Sequence, residues 1–89
     1  PWTRAGTIQD GIPVRFTQKQ STLYAILLDT PRETEICIRD LRVAAASEVR
    51  RLGDGSRLDW RQEGADLTIR IPSPLADGAA HTFAISQPA

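Results

Sequence analysis

The chain is poor in the residues that most often carry chemistry. Its 89 residues hold one cysteine, one histidine and no methionine. A single cysteine, Cys37, excludes an internal disulfide, and one cysteine beside one histidine cannot assemble the ligand set of a zinc site. An excess of charge of one sign is also missing. Eleven basic side chains balance eleven acidic ones, and no block of like charge occurs. Nucleic-acid binders draw most of their affinity from clustered cations, so nucleic acid is not an expected partner. No apolar run reaches the 18 residues of a membrane-spanning helix, and no signal-peptide pattern opens the chain. A membrane is not expected as a partner either. The chain begins at Pro1 without a methionine, as expected of a processed or excised fragment, which leaves its compartment open.

What is present is strand pattern. Eighty-nine residues make one domain, which buries roughly two-thirds of its unfolded surface and so folds with little margin. Val14 and Phe16 alternate with Arg15 and Thr17, the period-two signature of a strand with one buried face. The same alternation recurs in Thr34 to Arg39, around Leu58 and Trp60, through Leu67, Ile69 and Ile71, and at Phe83 and Ile85. Glu48 to Leu52 is weaker, because Val49 and Leu52 lie on opposite parities; a bulge or a short edge strand would reconcile them. Reversals are expected at Lys19-Gln20-Ser21, Thr30 to Glu33, Gly53 to Ser56, Glu63-Gly64 and Ala76-Asp77-Gly78. Pro72 and Pro74 end the Leu67 strand. Leu41 to Ala46 suits helix but is too short to hold one, so a loop with at most one turn is expected. Short strands spaced near ten residues predict an all-β fold: an antiparallel two-sheet β-sandwich of about seven to eight strands.

The run Leu23-Tyr24-Ala25-Ile26-Leu27-Leu28 is apolar on both faces, whereas an outer strand face normally meets water. Either a loop of the same chain covers its outer face, or that face docks onto another domain or subunit. Side-chain volume places Tyr24, Ile26 and Leu28 in the core and leaves Leu23 and Leu27 for the outer contact.

No constellation of catalytic residues stands out. Cys37 lies between Ile36 and Ile38, where a small half-buried side chain is expected before a reactive thiol. His81 would need a serine or Cys37 beside it and a third group to orient it, and no nucleophile-elbow motif is present. Gly53-Asp54-Gly55-Ser56 lacks the acidic spacing of a calcium loop and reads as a hairpin turn. No glycine-rich phosphate loop precedes a helix. Neither cofactor nor metal is expected. Of the five aromatics, Phe16, Trp60 and Phe83 share parity with aliphatic neighbours and suit the core. Tyr24 and Trp2 are the rings that could face a ligand, and Trp2 could equally anchor the N-terminal segment.

Several segments resemble one family in order and spacing. The hairpin Arg15-Phe16-Thr17-Gln18-Lys19 to Thr22-Leu23-Tyr24-Ala25-Ile26 closely resembles the one that opens the C-terminal β-sandwich of the alpha-L-fucosidases of glycoside hydrolase family 29. Pro1-Trp2 resembles the end of the segment leaving the catalytic barrel. Ile36-Cys37-Ile38-Arg39 with Leu41, then Val49-Arg50-Arg51-Leu52-Gly53, Leu58-Asp59-Trp60-Arg61-Gln62 and Leu67 to Pro72 follow in family order. The resemblance implies a parent with an N-terminal (β/α)8-like barrel, whose aspartate nucleophile releases terminal alpha-L-fucose with retention. Residues 1–11 would then be the linker leaving that absent barrel, and residues 12–89 the C-terminal sandwich.

Glycoside hydrolysis usually needs two carboxyl groups about 5 Å apart for retention, or roughly 6.5–9.5 Å for inversion. The acidic residues here are scattered singly, mostly in turns or on polar strand parities, and none of the barrel's motifs lies in this chain, so no position receives a catalytic role. The expectation is an ancillary, non-catalytic domain whose partner is the N-terminal catalytic barrel of the same parent, with Leu23 and Leu27 on the interdomain face. Two other readings stand beside it. One is a carbohydrate-binding module for fucosylated glycans that uses Trp2 or Tyr24; the other is an immunoglobulin-like interaction module.

Overall fold

Each alternating run of the sequence is a strand in the computed structural model, which describes residues 3–7, 11–53, 55–72, 75 and 81–86. The strands are β1 (Thr3–Thr7), β2 (Pro13–Lys19), β3 (Thr22–Leu27), β4 (Glu35–Ile38), β5 (Glu48–Arg51), β6 (Arg57–Glu63), β7 (Asp66–Arg70) and β8 (His81–Ser86). All pairings are antiparallel, in the order β1-β2-β3-β8-β5-β6-β7-β4. The fold is all-β, as expected. Leu41 to Ala46 is a loop closed by a turn in which Ser47 N donates to Ala44 O at 3.0 Å.

One strand makes the ladder curl. β6 pairs through Arg57 and Leu58 with β5, and through Asp59 to Glu63 with β7. It hands the ladder from one set of strands to the other within seven residues. The apolar sides of both sets then meet in one core: Phe16, Leu27, Val49, Phe83 and Ile85 from the first, Ile36, Ile38, Leu67 and Ile69 from the second. Burying each of these side chains contributes about 1.5–3 kcal/mol.

Hairpin register sets which face of each strand is buried. Lys19 pairs with Thr22, so Gln20 and Ser21 alone form the β2–β3 turn. Gln20 sits there at φ 56, a left-handed conformation that a two-residue hairpin loop favours and a non-glycine residue adopts with strain. The β6–β7 hairpin has the same length, with Glu63 paired to Asp66 and Gly64 at φ 61. Directly opposed residues of an antiparallel pair share a face. Val14 therefore faces with Leu27, Phe16 with Ala25 and Gln18 with Leu23. Because Phe16 is fully buried, so are Ala25 and Leu27, while Tyr24 and Ile26 turn outward and are half-buried.

This corrects the volume-based assignment of β3. Leu23 and Leu27, expected at an outer contact, are 3% and 0% exposed, and Leu28, expected inside, is 42% exposed. The physical reason lies in the neighbours of Ala25, which is opposed by Phe16 on one side and Phe83 on the other. Two phenyl rings already fill the space, and the smallest apolar side chain of the run fits between them.

Two further features concern β1 and β5. The segment of residues 1–11, expected as a linker, contains β1, and Thr3–Thr7 pairs along its whole length with β2. Gly6 belongs there for a steric reason, since a Cβ at that position would lie 2.8 Å from Cε2 of Phe16. β5, expected as a bulged or edge strand, is short but lies between β8 and β6. It ends at Arg51, so Leu52 lies outside the strand and is 55% exposed.

Leu27→Asp is expected to unfold the isolated chain. Even Leu→Ala at such a site costs about 2–5 kcal/mol, and an unpaired buried carboxylate adds to that, against a total stability of about 5–15 kcal/mol for a domain. Circular dichroism of the variant should show no cooperative melting transition; a native-like melt would contradict the inward placement.

Candidate functional site

The two outer faces of the curled sheet differ in chemistry. On the β4–β7–β6 side, arginine and glutamate alternate across strands. Arg61 pairs with Glu35 at 3.2 Å and with Glu63 at 3.0 Å, and Arg70 lies 3.8 Å from Glu35. Thr68, only 3% exposed, donates its hydroxyl to Glu63 Oε1 at 2.6 Å. Exposed pairs of this kind contribute about 0.2–1 kcal/mol each. Their main consequence is a charged, solvated face.

Its electrostatics follow from those contacts. The Thr68 hydroxyl, and after it Arg61, hold the Glu63 carboxyl below the usual glutamate range. Hydrogen bonds to Glu35 and Glu63 raise the Arg61 guanidinium further above its ordinary value. These carboxylates are committed to arginines, in contrast to the free pair that a glycosidase holds over a sugar ring. Among the described residues, no three histidine, cysteine, aspartate or glutamate side chains come together to hold a metal.

The opposite outer face, on β2, β3, β8 and β5, sets a half-buried patch between Arg15 on β2 and Arg50 on β5. Tyr24 lies between Thr17 and Ala84, and Ile26 between Arg15 and Thr82. All but Arg15 of these six are half-buried. Glu48, flanked by Arg57 at 2.6 Å and Arg50 at 3.5 Å, marks the β5 border.

A third feature opens where the inward rows of the core run out. Phe83 and Ile85 point inward on β8, which puts His81 on the same parity, and Val49 does so for Arg51 on β5. Arg51 and His81 line a hollow of about 330 Å³ together with Leu52, Leu75, Thr82 and Phe83. His81 Nε2 and Thr30 Oγ1 share a hydrogen bond of 2.8 Å across the rim.

Of the sequence-predicted contact residues, those that are described do not share one face. Leu23 and Leu27 are core, Tyr24 is half-buried on the outer face, and Trp2 lies outside the described residues. Sequence reasoning passed over Ile26 as an outer residue and Arg51 and His81 as rim residues. The signal that identifies all three is strand parity counted from Phe16, Val49 and Phe83.

Replacing Glu63 with Gln should lower stability near neutrality and leave it unchanged in acid. A carboxyl whose folded pKa lies below its unfolded value stabilises the fold above the ordinary carboxylate range, and that stabilisation is lost as pH falls through the folded pKa. The gap in melting temperature between Glu63→Gln and the parent sequence should therefore close on acidification. A gap that stays constant would contradict the Thr68–Glu63–Arg61 linkage.

The chain is similar to known proteins in both sequence and shape. Residues 7–86 match the family model described as "Alpha-L-fucosidase C-terminal domain". Among solved structures, Thermotoga maritima alpha-fucosidase in complex with fucose superposes with a TM-score of 0.83 at 31% identity, over 94% of this chain and 20% of its own. The same enzyme with a mechanism-based inhibitor gives a TM-score of 0.85 at 29% identity, over 93% of this chain and 20% of its own. An alpha-L-fucosidase gives 0.83 at 29% identity, over 93% and 19% respectively. The chain thus spans about a fifth of the length of the structures it matches. A comparison with curated proteins finds no match. The order of strands, the buried rows and the match over residues 7–86 converge: the chain belongs to the alpha-L-fucosidase C-terminal domain family.

Proposed function

We propose that the chain is the ancillary, non-catalytic C-terminal domain of an alpha-L-fucosidase-like glycoside hydrolase, and that it supports an N-terminal catalytic barrel which removes terminal alpha-L-fucose from glycans. The observation that carries this reading is the match of residues 7–86 to the family, together with solved relatives about five times as long as this chain. Two features of the chain support it. The carboxylates of the charged face are spent on arginines, and the half-buried Tyr24 and Ile26 at the centre of the other face suit packing against protein. Tyr24 and Ile26, not Leu23 and Leu27, provide that surface. The segment of residues 1–11 connects to the barrel, with β1 pinning the connection to the edge of the sheet next to this face.

Ile26→Asp tests the reading because Ile26 is half-buried and outside the core. The isolated chain is expected to keep a cooperative melt. The full-length glycoside hydrolase is expected to melt at lower temperature and to lose hydrolysis of a chromogenic alpha-L-fucoside faster on warming. An unchanged full-length enzyme would count against this face. Nuclear magnetic resonance titration of the isolated chain with L-fucose and fucosylated oligosaccharides is expected to produce no saturable shifts. Shifts localised at Tyr24 would make the domain a carbohydrate-binding module instead.

A further inference from the structure

Residues 41–47 join β4 to β5 and are held to the sheet by side chains. Leu41 is buried and Val43 half-buried against the core, while Arg42, Ala44, Ala45 and Ala46 are exposed. Three bonds with β6 add to that anchorage. Gln62 Nε2 donates to Leu41 O and Val43 N donates to Gln62 Oε1, both at 3.0 Å. Trp60 Nε1 donates to Ser47 O at 3.1 Å. Among the described residues, the only backbone bond of this stretch is internal, from Ser47 N to Ala44 O. Its two ends are fixed: Asp40 N donates to Asp66 Oδ1 at 2.9 Å, and Glu48 pairs with Ser86.

Closure leaves one group worse off than opening would. The Ser47 side-chain oxygen is cut off from solvent, on a residue that is 6% exposed, and among the described residues it has no hydrogen-bond partner. A buried hydroxyl without a partner carries a desolvation cost that contact with water removes. The Gln62 and Trp60 bonds exchange for bonds to water on opening, so their net contribution to closure is modest. Closure then depends mainly on burying Leu41 and Val43, a small part of the core. Releasing two side chains exposes far less apolar surface than unfolding the sheet, so it costs less.

We propose that residues 41–47 form a latched strap that opens as one unit while the sheet stays folded. Gln62 and Trp60 are the latch, Asp40 and Glu48 are the pivots, and the Ser47 hydroxyl biases the strap toward release. Asp40 suits a pivot because it already leaves the strand conformation, at φ 58. Opening frees the Trp60 indole and uncovers the part of the core against which Leu41 and Val43 pack.

The test is hydrogen exchange of the labelled chain, followed by nuclear magnetic resonance at Val43 N–H and Trp60 Nε1–H. Both are expected to be protected to a similar degree, and at least roughly a hundredfold less than the β3–β8 ladder. Low concentrations of urea should speed exchange in the ladder and leave these two groups unchanged, because a local opening exposes little surface. Ser47→Ala, which deletes the orphaned hydroxyl, should raise the protection of both groups roughly tenfold. Gln62→Leu should lower the protection of Trp60 Nε1–H, a group that Gln62 does not touch. Urea sensitivity equal to that of the ladder overturns the proposal, since the strap would then open only when the whole chain unfolds. A Ser47→Ala variant with unchanged or lower protection also overturns it, as does a Trp60 Nε1–H indifferent to Gln62→Leu.

Discussion

The contact on which the rest of the structure depends is Ala25 held between Phe16 and Phe83. Three adjacent strands meet at that row, and the smallest of the three side chains lies in the middle. Fully buried aromatic rings supply much of the apolar area in a domain this small. Once they are inward, the two-residue turn at Gln20 and Ser21 allows only one facing of β3. Leu23 and Leu27 then complete the core, and Tyr24 and Ile26 turn to the surface. A slip of one residue would expose every core side chain of β3 at once.

Polar contacts secure the second half. Gln62 donates to the carbonyls of Leu41 and Asp66 at 3.0 and 2.8 Å, and its Oε1 accepts from Val43 N at 3.0 Å. It thereby holds the loop after β4 against the β6–β7 hairpin. Trp60 Nε1 donates to Ser47 O at 3.1 Å and fixes the end of the same loop. Trp60 lies next to the point where β6 changes partners and Gln62 lies at its hairpin end, so the two hold the loop after β4 along the second half of the strand. Among the described residues, one outer face carries linked arginines and glutamates, the other has Tyr24 and Ile26 half-buried at its centre, and a hollow lies at the start of β8.

Much of this was legible in the sequence, for identifiable reasons. Where apolar and polar residues alternate strictly, as in Val14 to Thr17 or Leu67 to Ile71, parity is readable without structure. β3 was not readable alone, because both of its faces are apolar and volume pointed the wrong way; only its register against Phe16 decides it. β1 escaped notice because Thr-Arg-Ala-Gly-Thr has no apolar alternation and pairs through its backbone along an edge. Leu52 broke the pattern of β5 for a simpler reason, being outside the strand. The candidate contact surface inherited the β3 error, while Arg51 and His81 were passed over because each stands alone in sequence and gains meaning only at the end of an inward row.

The chain spans about a fifth of the alpha-fucosidase structures it resembles, and its own buried rows account for its fold. That account rests on the facing of β3. The most direct measurement is a carbon-edited nuclear Overhauser spectrum of the labelled chain. The account predicts strong contacts from the Ala25 methyl to the rings of both Phe16 and Phe83, and none from the Ile26 methyls to either ring. Contacts from Ile26 to Phe83 with Ala25 silent would contradict it.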